Sequence, residues 1–116
     1  MASNGVKNRT LAEILTTSHQ DVYTVPDHFL SKVWSIIISN KTDSPKTFSL
    51  EWYDSNASPV VYYAIAGDVE MKKNSIIQID DVMYLQSGNK IRAKASDASA
   101  VTVSVSVEET FRLSEI

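Results

Sequence analysis

The fold turns on the stretch Ala100-Val101-Thr102-Val103-Ser104-Val105-Ser106-Val107-Glu108, where valine takes every odd position from 101 to 107 and a polar residue every even one after it. Successive side chains of a strand point to opposite faces, so this pattern makes one face dry and the other wet. A helix would scatter the four valines around its circumference, and β-branched side chains lose rotamer freedom there. The stretch reads as a strand buried on one side, and the rest of the chain has to supply the layer that covers it.

Moving outward, Lys90-Ile91-Arg92-Ala93-Lys94-Ala95 alternates as well, with Ile91, Ala93 and Ala95 inward and three cations outward. Ser96-Asp97-Ala98-Ser99 then turns into the valine strand, which predicts a hairpin. The three cations read as a solvated face or as a contact for an acidic partner. Upstream, Ser75–Ile79 and Val82–Leu85 are apolar runs separated by Asp80-Asp81, and Val60–Ile65 runs to an expected turn at Ala66-Gly67-Asp68, where Gly67 suits a positive φ. Thr47-Phe48-Ser49-Leu50-Glu51-Trp52 places Phe48, Leu50 and Trp52 on one face. Before it, Val33–Ile38 places Trp34, Ile36 and Ile38 on one face and Val33 and Ile37 on the other, as expected of a strand covered on both sides. The polar loop 39–45 between these two strands suggests that they pair antiparallel. Asp21–Pro26 is a shorter strand closed by a proline, which cannot donate to a ladder. About eight strands with turn signals between them predict an all-β fold, an antiparallel β-sandwich of jelly-roll type, over residues 21–116.

Residues 1–20 are expected to form an N-terminal arm or short helical turn. Leu11, Ile14 and Leu15 would share one side of such a turn, with Thr10 as its cap and Glu13 completing a capping box. One turn cannot stand alone, so it packs on its own domain or docks on a neighbour. Phe111 and Leu113 continue apolar beyond the valine strand and need a surface to cover them. Leu11, Ile14, Leu15, Phe111 and Leu113 are therefore the candidate partner-binding residues.

The chain has 116 residues, enough for one domain with a real core, and no cysteine, so neither disulfides nor thiolate chemistry. Its formal net charge is -3 with both signs interspersed, which gives no field for a polyanion, and nucleic acid is not an expected partner. No apolar run approaches the roughly 20 residues of a membrane helix, and Lys7 and Arg9 are not followed by the apolar stretch of a secretory leader, so neither membrane nor leader is expected.

Catalytic machinery is not expected. Nucleophilic or acid–base chemistry needs convergent groups, and His19 and His28 are the only histidines. They are too few for a closed zinc site, Asp80-Asp81 lacks calcium-loop spacing, and Gly5, Gly67 and Gly88 are too dispersed to cradle a phosphate. No cofactor or metal is expected. Asn8-Arg9-Thr10, Asn40-Lys41-Thr42 and Asn56-Ala57-Ser58 match the glycosylation pattern and mark loops. Trp52, Tyr53, Tyr62 and Tyr63 bracket one loop. Tyr53, Tyr62 and Tyr63 are an alternative platform for sugar rings, against the plainer reading that half of the group faces the core and the rest pair across strands.

Tyr23-Thr24-Val25-Pro26, Ile36-Ile37-Ile38-Ser39-Asn40, Leu85-Gln86-Ser87-Gly88-Asn89-Lys90-Ile91-Arg92-Ala93 and Ala100–Val105 together resemble the small β-sandwich virion proteins of tailed bacteriophages, over about residues 20 to 108. Two departures are Asn89, where an aspartate often follows the glycine, and Asp27-His28, in place of smaller residues after the proline. The resemblance implies a non-enzymatic structural subunit in the virion, of capsid decoration, neck or tail accessory type. Its partners would be other virion proteins and further copies of itself. The alternative is a carbohydrate- or receptor-binding module.

Overall fold

A computed structural model describes residues 5–56 and 61–112. The strands are β1 (Val6–Ile14), β2 (Gln20–Thr24), β3 (Phe29–Asn40), β4 (Lys46–Asp54), β5 (Val61–Met71), β6 (Ser75–Ile79), β7 (Met83–Leu85), β8 (Lys90–Ala95) and β9 (Val101–Phe111). They form two antiparallel sheets. The first runs β1-β9-β3-β6, with β7 also paired to β3, and the second runs β2-β8-β4-β5. The result is a nine-stranded, jelly-roll-like sandwich, the all-β architecture expected from the sequence.

The valine strand sits where its pattern demands. Val101, Val103, Val105 and Val107 have no exposed surface, and β9 lies between β1 and β3 with its valines against the second sheet's inner face. Phe48 and Leu50 of β4 and Ile91, Ala93 and Ala95 of β8 supply the other half of that core, with Trp52 packed against it. Each buried valine contributes about 1.5–3 kcal/mol relative to an exposed one. This alternation across two facing layers supplies most of the driving force for the fold.

The chain differs from the sequence reading in how the strands are joined. β3 and β4 do not pair, and neither do β8 and β9; each pair is split between the two sheets. The loops at 41–45 and 96–100 are arches over the sandwich. A run of turn formers fits an arch as well as a hairpin, and both strands of an arch bury the same kind of face. Gly67 does not close a turn either. β5 runs through it to Met71, with register shifts against β4 between Phe48 and Leu50 and between Leu50 and Glu51. The left-handed residue there is Asp68 (φ 46°), whose N–H donates to Ser49 Oγ at 2.9 Å, so the irregularity is a bulge.

A second bulge re-phases β3. Val33 pairs with Val107 and Ser35 with Ser106, leaving Trp34 as the extra residue. Val33, Ile36 and Ile38 therefore all face the core, and Trp34, expected beside Ile36 and Ile38, is 47% exposed.

Buried asparagines brace the loops. The side chain of Asn40 donates to the carbonyls of Ser44 and Lys72, both at 3.0 Å, and its Oδ1 accepts from the N–H and hydroxyl of Thr42. All its hydrogen-bonding capacity is used inside the protein, so the Asn40-Lys41-Thr42 match is structural. Asn89 plays the same part at the opposite end, where its Oδ1 accepts from Ser55 and Asn56.

Candidate functional site

Residues 6–14 are a strand and not a helical turn. All nine pair with β9, from Val6 opposite Thr110 to Ile14 opposite Thr102. The edge of β9 offers a ready ladder, and pairing with it satisfies the arm's backbone, which an isolated helical turn cannot do. A strand also separates the three residues that a turn would have gathered. Leu11 packs partly against the core, Ile14 is 62% exposed, and Leu15 is fully buried with its N–H on the Val101 carbonyl. Leu15 belongs to this chain's own core and offers nothing to a neighbour. At the other end Phe111 lies edge-on to Phe29, ring centroids 5.3 Å apart, and keeps 43% of its surface exposed. Leu113 falls outside the described residues.

What holds β1 in place is a buried polar cluster that the sequence reading missed. Glu109 of β9 has no exposed surface. The Tyr23 hydroxyl of β2 donates to its Oε2 at 2.5 Å and also meets Ser31 Oγ of β3. From β1, Arg9 Nη1 donates to both carboxylate oxygens at 3.4 and 3.2 Å, and Lys7 Nζ stands 3.9 Å away. Both sheets thus converge on one carboxylate, and the charges that balance it come from the arm. Burial raises the Tyr23 pKa above its ordinary value, and the hydrogen bond to Glu109 raises it further. The signal lay in the valine pattern itself: position 109 is the next odd residue after Val107, and so it points inward.

The outer face of the second sheet carries the expected cations. Register places Asp21, Glu51, Tyr53, Tyr62, Lys90 and Arg92 on it together. Lys90 bonds Asp21 at 3.0 Å, and Arg92 lies 3.9 Å from Asp21 and 3.4 Å from Glu51, which His19 also approaches at 3.6 Å. Lys90 and Arg92 are balanced within the chain. The aromatics divide between faces: Trp52 stacks on Tyr63 at 4.8 Å, and Tyr53 meets Tyr62 at 4.9 Å with the rings tilted by 48°. Lys90 lies over the Tyr53 ring and Arg92 over that of Tyr62. The two outward rings therefore form no flat platform, and their faces are already taken by cations.

The first sheet presents a different surface. Ile76 and Tyr84 project from its outer side, 64% and 66% exposed, with Trp34 at the bulge on β3. A depression of about 340 Å³, lined by Phe29, Leu30, Asn56, Gln86, Ser87 and Arg112, holds no acid–base pair. His28 packs against Phe111, away from the Glu51 partner of His19. Among the described residues no three histidines, aspartates or glutamates cluster as metal ligands.

No protein-family model matches the chain, and no curated protein matches its sequence. Solved structures share the fold. A chain of the infectious bursal disease virus particle superposes with a TM-score of 0.56 at 8% identity, covering 96% of this chain and 32% of its own length. A capsid chain of Helicobacter pylori bacteriophage KHP30 gives 0.54 at 7% identity, covering 93% of this chain and 89% of its own. A subunit of Bacillus endospore appendages, which form pili, gives 0.53 at 9%, covering 94% and 88%. This chain thus spans about a third of the bursal disease virus chain but nearly the whole of the other two.

Proposed function

We propose that the protein is a non-enzymatic structural subunit of a virus particle that works by being packed against its neighbours. The observation that carries this reading is the distribution of surface. The pockets seen among the described residues gather no convergent catalytic set, whereas open sheet edges and exposed Trp34, Ile76, Tyr84 and Phe111 remain on the outside. Trp34, Ile76 and Tyr84 stand on the outer side of the first sheet, and a contact with another protein would cover them together. The shared fold of a phage capsid chain and a bursal disease virus particle chain supports a virion as the setting. The resemblance to tailed-phage β-sandwich proteins narrows the role to capsid decoration, neck or tail accessory subunit.

In this reading the open edge of β1, the exposed face of Phe111 and the other sheet edges meet neighbouring virion proteins, while the core serves only as a rigid body. The sugar-platform alternative draws less support, because Lys90 and Arg92 lie over the rings that a sugar would have to cover. The test is incorporation. A chain carrying Ile76→Asp and Tyr84→Asp, both at strongly exposed positions, should fold as before and enter particles at strongly reduced occupancy, measured by quantitative mass spectrometry of purified virions. Full occupancy would refute this contact role. Saturable binding of host glycans by the isolated domain, lost on Tyr62→Ala, would favour the alternative.

A further inference from the structure

We infer that β1 is a self-complementary edge through which two copies of this chain join, antiparallel and about a two-fold axis, into one continuous sheet. This deepens the assembly reading above by naming one of its contacts and the partner.

Edge strands of soluble proteins are usually blunted by shortness, bulges, proline or charge, because their unpaired N–H and C=O groups are a template for another chain. The other edges here follow that rule. β2 and β5 carry register shifts, and β6 and β7 are five and three residues long. β1 is nine residues long, has no proline, and pairs with β9 without a single register shift. Among the described residues its solvent side is a straight ladder with neither bulge nor proline, and its charged residues Lys7, Arg9 and Glu13 all stand on the face shared with Val103 and Val107.

The free hydrogen-bonding groups can be assigned. Leu15 N–H bonds the Val101 carbonyl, and residues bonded to a given neighbour alternate along an antiparallel strand. The odd residues of β1 therefore bond β9, while Val6, Asn8, Thr10, Ala12 and Ile14 turn their backbone groups outward. One of these groups is partly used, since the Ile14 carbonyl accepts from Gln20 Nε2 at 3.3 Å and keeps its second lone pair.

A second β1 laid antiparallel with Thr10 opposite Thr10 engages the full strand, with about ten new backbone hydrogen bonds. The side chains then match. Lys7 meets the partner's Glu13, whose other neighbour is Gln20 of its own chain, Val6 meets the partner's Ile14, Asn8 meets the partner's Ala12, and Arg9, its guanidinium held on Glu109, meets the partner's Leu11 with its aliphatic stem. Val6 and Ile14 are 52% and 62% exposed in the single chain, and this pairing covers both of them twice over, once at each end. Shifting the register by two residues in one direction puts Arg9 opposite itself, and in the other direction leaves Val6 outside the strand. A parallel arrangement would place Lys7 beside Lys7. Charge and apolar pattern both select the two-fold antiparallel register, the closed isologous kind of contact. The joined sheet would run β6-β3-β9-β1 and on through the partner's β1-β9-β3-β6.

Sedimentation of the full chain over a range of concentrations tests this, with a reversible monomer–dimer equilibrium expected. Thr10→Pro removes an N–H that faces the open edge and leaves the β9 ladder intact, so it should weaken the dimer roughly tenfold or more. Glu13→Lys, which sets a cation opposite the partner's Lys7, should weaken it as well, whereas Glu13→Asp should not; Lys7 is left in place because it also balances Glu109. The chain has no cysteine, so Thr10→Cys should form a disulfide-linked dimer on mild oxidation, the two Cα atoms lying about 5.5 Å apart. Should the proline variant unfold, the cysteine variant decides. A chain that stays monomeric at every concentration, or a dimer indifferent to these changes, would overturn the pairing. Either result leaves assembly through other surfaces intact, which virion incorporation measures separately.

Discussion

Replacing Glu109 tests how the arm is tied to the sandwich. In Glu109→Ala the Tyr23 hydroxyl loses its carboxylate acceptor but keeps Ser31, so no buried donor is orphaned. The lost charge-assisted hydrogen bond is worth about 1.5–3 kcal/mol. The Arg9 ion pair adds less than about 1 kcal/mol, because the Arg9 side chain is 40% exposed and solvent screens it. The space vacated by a fully buried side chain accounts for the rest, for a total of about 3 kcal/mol. For a domain of this size that lowers Tm by roughly 12 °C. Glu109→Leu should behave differently, since an apolar group of similar volume fills the space and the Lys7 and Arg9 side chains, 56% and 40% exposed, return to water, so that no buried charge is left unpaired. Its melting point should stay near that of the parent, while amide exchange in residues 6–14 should accelerate because Arg9 and Lys7 have lost their anchor. Thermal denaturation followed by circular dichroism and hydrogen exchange by mass spectrometry read the two effects apart. An alanine variant melting within a degree or two of the parent, or a leucine variant with unchanged β1 exchange, would refute the anchoring role.

Other consequences are as direct. Because burial and then the bond to Glu109 raise the Tyr23 pKa above 10.0 in the folded state, stability is unaffected below that pH and declines above it, by up to about 1.4 kcal/mol per pH unit. Alkaline denaturation should show this slope, and Tyr23→Phe should remove it. Asn40→Ala takes the acceptor from the Thr42 N–H, while the Ser44 and Lys72 carbonyls keep the hydroxyls of Thr42 and Ser75; it should cost about 1–3 kcal/mol by urea titration, whereas a loss under 0.5 kcal/mol would contradict the brace. Val105→Thr puts a hydroxyl among apolar neighbours at a site with no exposure and should cost about 2 kcal/mol. Trp34→Ser should change thermal stability by less than about 1 kcal/mol, because the side chain stands out at the bulge; a large loss would mean that Trp34 is part of the core.

The parts legible in the sequence were those governed by a two-residue period. The alternations at 90–95 and 101–107 place the correct side chains in the core, and the architecture follows from them. Strand partners were not legible, because Asn40–Pro45 and Ser96–Ser99 carry the same residues whether the chain doubles back in one sheet or arches to the other. Bulges defeat periodicity by design: Trp34 is one extra residue, and it exchanges the faces of everything on one side of it. Leu11, Ile14 and Leu15 fit a helical spacing, yet strand pairing wins because β9 offers nine residues of open ladder. Glu109 was within reach of the alternation, and only its charge argued against reading it as inward.

The most direct test of the central claim is electron cryo-microscopy of intact particles from the source of this chain. The account predicts the nine-stranded sandwich at regular, symmetry-related positions, its edges and exposed aromatics buried against neighbouring subunits. Particles at full resolution with no density for the chain, or a purified chain that acts catalytically as a free monomer, would contradict it.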